Sequence, residues 1–384
     1  MIPTGETDEM PRLLVATDDL AGGTGSHLAG LLSILQRHWS IRVVCYGDVQ
    51  VVLPPAVSLV QSPVGKWNHF PVAQFRRARH LMTEARAWRP DVLHTYFFWS
   101  VMYGRYLKQV GVVPRLIENR EDQGFSLSSF DYRLLRATAR LPDHVICVSK
   151  AVSQVVLDRE RLSRGQAVVI HNGLPLHTNN ESRSPDEALR ADLGIRPGEP
   201  VVGMVANLNR EVKGVRFFIE AIPLILREVP QARFLLLGDG RLKPQLEARV
   251  RELGIRDRVI FAGFREDISR FYPLMEISTL TSLSEGLSIT ILESMAFGLP
   301  VVATRVGGNP ELVRHEETGF LVPPQNPPAF AEAVGNLLRD PSRCRIMGSR
   351  AREVVRSFDI ESVADRYSAL YREPVRRHLS GLAG

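Results

Sequence analysis

Cysteine is scarce. The chain holds three, Cys45, Cys147 and Cys344, far apart. Their spacing forms no zinc or redox motif, and a reducing compartment is expected. No apolar run reaches the roughly 18 residues that a membrane span needs. The opening Met1-Ile2-Pro3-Thr4-Gly5-Glu6 lacks the basic, apolar pattern of a secretory signal. The expected location is therefore the cytoplasm, with any membrane contact peripheral and on the inner face. There is no finger-type Cys/His spacing, RNA-binding aromatic signature or long Lys/Arg block, so nucleic acid is not an expected partner. The dinucleotide fingerprint Gly-x-Gly-x-x-Gly does not follow the first strand, which argues against a redox dehydrogenase.

What is present is globular in composition: 44% apolar and 23% charged residues over 384 positions. That length suits two domains rather than one core. The formal charge is +6, and the first 180 residues carry 20 basic against 15 acidic side chains. The excess favours a phosphate-bearing or anionic-surface partner.

Both halves repeat one grammar. Strands are expected at Arg12–Thr17, Ile41–Tyr46, Asp91–Thr95, Val113–Glu118, His144–Val148 and Ala167–Ile170, with helices between them, including Val72–Trp88 and Ser129–Arg140. The polar stretch Thr178–Pro185 reads as a linker. The rhythm then restarts with strands at Val201–Ala206, Ala232–Leu237, Arg258–Phe261 and Pro300–Thr304, and helices at Gly214–Leu226 and Ile289–Phe297. Short apolar strands alternating with helices imply mostly parallel sheets covered on both faces. The expected fold is α/β, with two doubly wound domains at 1–180 and 181–358 and a helical return over 359–384. The last helix, about Ile360–Tyr371, is expected to pack onto the first domain.

Ligands in such sheets sit beyond the carboxyl ends of strands, and several loops there carry suitable chemistry. Arg210 and Lys213 follow the strand Val201–Ala206 and can neutralise a diphosphate; the same pair also fits two solvated charges around a turn. Glu285 precedes a glycine-containing loop, and Glu293 lies in the helix after it. Loop amides at a helix amino end suit phosphate, and a helical carboxylate can accept two ribose hydroxyls. Spacing alone also fits an acidic cap and an acidic surface residue. Gly22-Gly23 and Gly238-Asp239-Gly240 read as tight turns after strands. His94 reads as a core histidine or a site residue.

The run Ser284-Glu285-Gly286-Leu287-Ser288-Ile289-Thr290-Ile291-Leu292-Glu293-Ser294-Met295-Ala296-Phe297-Gly298-Leu299-Pro300 resembles the Glu-x7-Glu motif of the retaining nucleotide-sugar glycosyltransferases of family 4. Pro300 to Leu312 and Glu317 to Val322 are similar to the same family. The resemblance implies the GT-B architecture, two Rossmann-like domains facing a central cleft. It implies transfer of a sugar from a nucleotide diphosphosugar, a UDP-sugar for preference, to a hydroxyl of a glycan, glycolipid or small-molecule acceptor. Glu293 then matches the ribose ligand and Glu285 the residue near the donor sugar, both ionised. Gly286, Leu287, Ser288 and Ile289 match the loop whose amides approach sugar and diphosphate. Arg210 and Lys213 match the cationic pair that takes the place of a metal, so no cofactor or metal is expected. Gly22 and Gly23, with Thr24, Gly25 and Ser26, match the first-domain glycine loop. Gly238, Phe264 and Arg265 match the rim of the donor pocket.

One position departs from the family. Asn119 stands where many relatives carry a histidine facing the donor sugar. Asparagine cannot serve as a base near neutral pH but can orient a sugar hydroxyl; Arg120 and Asp122 are neighbouring candidates. A sugar phosphorylase, a nucleotide-sugar hydrolase and a noncatalytic nucleotide-sugar-binding protein remain alternatives. Residues 66–89 hold Lys66, Arg76, Arg77, Arg79, Arg86 and Arg89 with Trp67, Phe70, Phe75, Leu81 and Trp88. This stretch fits a basic amphipathic helix on an anionic membrane, or an ordinary helix packed on the sheet.

Overall fold

Short buried strands feed helices along most of the computed structural model, which describes residues 10–62, 71–176 and 185–374. The chain divides into two units: residues up to His171 together with those from Ile360, and Asn172–Asp359. The first boundary thus falls before the stretch expected as a linker, of which residues 178–184 lie outside the described residues.

The first unit contains β1 (Arg12–Thr17), α1 (Gly22–Leu35), β2 (Ser40–Cys45), β3 (Val57–Gln61), α2 (Pro71–Trp88), β4 (Val92–Tyr96), α3 (Phe98–Gln109), β5 (Leu116–Arg120), α4 (Ser129–Ala137), β6 (His144–Cys147), α5 (Lys150–Val155) and β7 (Ala167–Val169). The strands lie in the order β3-β2-β1-β4-β5-β6-β7, and every pair is parallel. Both faces of β1 are buried. Leu13 and Val15 enter one core, Leu14 and Ala16 the other, as alternation along a covered parallel strand requires. The chain's last described helix, Ile360–Arg372, belongs to this unit. Trp39 meets Tyr371 edge-on at 5.3 Å between ring centres and donates to Ser368 Oγ at 3.0 Å.

The second unit contains α6 (Glu187–Asp192), β8 (Val201–Val205), α7 (Val215–Glu228), β9 (Arg233–Leu237), α8 (Lys243–Glu252), β10 (Val259–Gly263), β11 (Ile277–Leu280), α9 (Ile289–Ala296), β12 (Val301–Thr304), α10 (Asn309–Leu312), β13 (Gly319–Val322), α11 (Pro327–Leu338) and α12 (Pro341–Val355). The helix of the first unit that follows them is α13. The sheet order is β10-β9-β8-β11-β12-β13, again parallel throughout. The chain winds outward one way from β8 and the other way from β11. Each sheet therefore reverses direction at one point, β1/β4 in the first unit and β8/β11 in the second, and leaves a crevice beyond the strand ends there.

Several elements are absent from the sequence-based reading. The strand β3 has an alternating, half-exposed pattern at the sheet edge and little apolar signal. Four aromatic residues and Gly104 fill α3, so intrinsic propensity does not favour it; its helical start is capped instead by the carboxylate of Asp18, just after β1. Only four residues form β11, and its burial comes from the strands on either side.

A buried ion network joins β5 to α3 and to the π-helical turn Val156–Glu160. Arg105 donates to both oxygens of Glu118 at 2.7 and 2.8 Å, and Arg120 bridges Glu118 and Glu160 at 2.9 and 2.7 Å. Burial pushes the Glu118 carboxyl up, and Arg105 and Arg120 pull it below its usual value. Among the described residues, no helix is long and apolar enough to cross a membrane.

Candidate nucleotide-sugar site

The second unit brings the two best sequence candidates together at its switch point. After β8 the chain forms the 3-10 turn Glu211–Lys213. After β11 it forms the loop that ends at Ser288, which caps α9 by accepting from Ile291 N at 3.3 Å. Lys213 Nζ lies 2.7 Å from Glu285 Oε1, across 72 positions of sequence. Ser282 Oγ donates to the same oxygen at 2.6 Å.

Backbone contacts hold the two loops against each other. Leu283 N donates to Val212 O at 2.7 Å, and Thr281 Oγ1 donates to Gly214 O at 2.9 Å. Gly214 has φ +62°, and a Cβ there would stand 2.0 Å from Thr281 O. A third loop approaches as closely: a Cβ on Gly307, at φ +50°, would stand 1.7 Å from Glu285 O, and Gly308 N donates to Gly286 O at 3.0 Å. Only glycine fits both positions. Gly286, Leu287 and Ser288 are buried and Ile289 half-buried, so this loop is a supported part of the sheet edge.

Glu293 sits half-buried on α9. Its Oε2 accepts from Tyr272 OH at 2.7 Å, and the Tyr272 ring stacks on Phe297. Burial pushes the Glu293 carboxyl above its usual range, and the tyrosine hydroxyl opposes that shift by stabilising the charged form. Desolvation and the Tyr272 hydroxyl thus act on this carboxyl in opposite directions, and the net shift is upward.

The remaining second-unit candidates are at the same strand ends. Arg210 is exposed at the start of the 3-10 turn. Gly238 N donates to Gly263 O at 2.7 Å and Leu208 N to Asp239 O at 3.1 Å, which ties the turn after β9 to those after β8 and β10. Phe264 is 70% exposed just past β10. Arg265 pairs with Asp267 at 2.9 Å and lies over the Phe271 ring.

In the first unit Gly22 and Gly23 form the exposed first turn of α1 rather than a loop ahead of it. That turn has no side-chain cap and no acidic residue, so its amides suit an anion. Asn119 is 2% exposed on β5, donates to Glu121 and accepts from Tyr367 OH at 3.3 Å. His94 bonds Tyr371 OH through Nδ1 at 2.7 Å, and burial pushes its pKa down to about 3. It is a neutral core histidine. Arg120 is held by the ion network, and Asp122 accepts from Gly124 N at 2.6 Å. Arg77 is also a correction. A basic face turned outward would expose it, yet it is 3% exposed over the Tyr46 ring, between the exposed Arg76 and Arg79. Lys66, Trp67 and Phe70 lie outside the described residues.

Two residues that contact the site carboxylates, and one buried acid of the first unit, have no place in the sequence-based reading. Ser282 stands three positions before Glu285, a signal that was there to use. Tyr272 lies 21 positions before Glu293 and carries no local signature. Asp18, just after β1, caps α3 by accepting from Ser100 N at 2.9 Å and Trp99 N at 3.1 Å. Burial lifts its pKa to about 6. Among the described residues no group of three His, Cys, Asp or Glu side chains could hold a metal ion.

The family model for Glycosyltransferase Family 4 matches residues 21–178, and that for glycosyl transferases group 1 matches residues 199–340. N-acetyl-alpha-D-glucosaminyl L-malate synthase of Bacillus anthracis is 34% identical over 194 residues, half of each chain. The chain thus spans about half the length of that curated relative. Sucrose-phosphate synthase of Thermosynechococcus elongatus has the same fold, with a TM-score of 0.83 over 95% of this chain and 98% of that one at 24% identity. HepE of Anabaena, solved in complex with UDP-glucose, matches with a TM-score of 0.79 over 94% and 98% of the two chains at 22% identity.

Proposed function

Since the chain belongs to the family 4 glycosyltransferases of the GT-B fold, we propose that it transfers a glycosyl group, with retention of anomeric configuration, from a UDP-sugar to an acceptor hydroxyl. One observation carries this reading: Lys213 and Glu285 meet at the switch point of the second sheet, where such folds bind nucleotides, on the same loop that leads into Glu293.

In this reading Glu293 accepts the ribose hydroxyls while Tyr272 keeps its charge. Arg210 and Lys213 neutralise the diphosphate, aided by the amides of Gly286 to Ile289. Glu285 accepts a hydroxyl of the donor sugar. Gly238, Phe264 and Arg265 border the base, Phe264 through its exposed ring. The bond from the anomeric carbon to the diphosphate breaks, and the acceptor oxygen forms its bond on the same face. The acceptor proton passes to a phosphate oxygen, and the two cations hold the charge of the leaving group. No side-chain base is needed, which suits a buried Asn119. The asparagine orients Glu121 and the neighbouring strand end. The open amides at Gly22 and Gly23 hold an anionic or hydroxylated part of a substrate.

A donor–acceptor matrix read by mass spectrometry tests the assignment, with the product's anomeric configuration determined by NMR. Release of sugar without acceptor would favour a hydrolase, and phosphate-dependent release a phosphorylase. Binding without turnover over a broad acceptor range would leave a binding protein.

A second reading concerns the acceptor's carrier. The outer face of α2 exposes Val72 and Phe75, at 63% and 68%, beside Arg76 and Arg79. That face suits an anionic membrane surface carrying a lipid-linked acceptor. Flotation with anionic vesicles, compared between wild type and Arg76→Glu/Arg79→Glu, tests it; no wild-type flotation at low salt rejects it.

A further inference from the structure

Two donors share one oxygen of Glu285, and they are not equivalent. Lys213 reaches Oε1 from an exposed turn on a flexible four-carbon stem, and its side chain is 24% exposed. Ser282 reaches the same oxygen from a fully buried position. The backbone of Ser282 is itself held, because Thr304 Oγ1 donates to its carbonyl at 2.6 Å. Thr304 is anchored in turn, since Asn309 Nδ2 donates to its carbonyl at 2.9 Å. All three residues are at most 2% exposed. The lysine therefore ties Glu285 to the β8 side of the switch point, and the serine ties it to the β12 side.

The difference matters when a diphosphate arrives. A diphosphate carries more negative charge than one carboxylate, so it competes for the ammonium of Lys213 by Coulomb attraction. Lysine is a mobile point charge and can follow it. The buried hydroxyl of Ser282 has no such freedom and no charge to be drawn away. We propose that Ser282 is the positioning residue for Glu285, holding the carboxylate toward the donor sugar once Lys213 has moved from Glu285 to the diphosphate. This rests on the donor-site reading above. It adds an exchange in which Lys213 changes partner from the carboxylate to the diphosphate while the serine bond persists through turnover.

The assignment makes a selective prediction, because Glu285 faces the sugar and not the nucleotide. Purified wild type, Ser282→Ala and Thr304→Val are titrated by calorimetry with UDP and UDP-glucose, and with GDP and GDP-mannose as a second pair. Turnover is measured with whichever donor the wild type uses, and thermal unfolding monitors the fold. Ser282→Ala should bind the nucleoside diphosphate within about twofold of wild type, yet lose about tenfold or more in kcat with the nucleotide sugar, as for a lost hydrogen bond to a charged group. Thr304→Val, which keeps side-chain shape, should show the same selectivity at smaller amplitude. Equal losses for nucleoside diphosphate and nucleotide sugar would reduce Ser282 to a structural residue and overturn the proposal. So would a Ser282→Ala enzyme with wild-type kcat. A wild type that binds none of the four probes would instead overturn the donor reading, and the proposal with it.

Discussion

Charge placement at single residues governs the site. Lys213 contacts the Glu285 carboxylate, and in the proposed mechanism removing it takes away charge stabilisation of the leaving group. Lys213→Ala should lower turnover by about tenfold to a thousandfold, with the fold intact by circular dichroism. Unchanged turnover in the purified variant would remove Lys213 from the mechanism. Tyr272 makes a different prediction. Burial raises the Glu293 pKa, and the tyrosine hydroxyl lowers it again. In the proposed role Glu293 accepts the ribose hydroxyls as a carboxylate, the stronger acceptor, so donor affinity is greatest above the Glu293 pKa and weakens as pH falls through it. Tyr272→Phe removes the stabilising bond, and the acid limb of donor affinity should move to higher pH. Calorimetric Kd values for UDP across pH 4–8 would show the displacement (the window lies about the usual carboxylate range and above it). A limb in the wild-type position would mean that Glu293 does not titrate against the donor.

Among the elements, the first unit depends on its buried ion network. Arg105 on α3, Glu118 and Arg120 on β5 and Glu160 in the π-helical turn have almost no water to fall back on. Breaking such a network from one side leaves an uncompensated buried charge. Arg105→Ala should therefore destabilise the unit by about 3–5 kcal/mol, seen as an earlier unfolding transition in denaturant. The folded-state pKa of Glu118 is depressed, so its contribution is present above the unfolded carboxylate pKa and lost as pH falls through the lower folded value. The loss caused by Arg105→Ala should accordingly shrink in acid. A constant loss at all pH values would assign the effect to packing of the arginine stem.

For the whole molecule, the proposed chemistry places cationic side chains where other transferases use a metal ion. Arg210 and Lys213 supply two positive charges beside the proposed diphosphate position. Transfer should persist after exhaustive chelation, measured as initial rate with and without chelator. Loss of activity restored by one divalent ion would show that the side chains do not suffice. The same site draws on loops from β8, β9, β10, β11 and β12, which a parallel winding delivers to one edge of the sheet.

Periodicity and local punctuation make the architecture legible in the sequence. Strand after strand is apolar because both faces of each sheet are covered, and glycine turns and proline breaks mark where helices begin and end. Glu285 and Glu293 stand out as a pair through their resemblance to the Glu-x7-Glu motif, since spacing alone equally fits an acidic cap and an acidic surface residue. The contacts that give those residues their chemistry are not local. Lys213 meets Glu285 because the winding reverses between β8 and β11, and Tyr272 reaches Glu293 across a turn of tertiary packing. Arg77 carries the same side chain as Arg76 and Arg79, yet it is buried because α2 turns that position onto Tyr46. Asn119 likewise reads as a residue facing the donor sugar, yet it is buried on β5, where Tyr367 of α13, 248 positions later, donates to it. Residue type and spacing determine which groups are present and which element carries them. Which groups meet, and how much water remains between them, depends on long-range packing that no local stretch of sequence encodes.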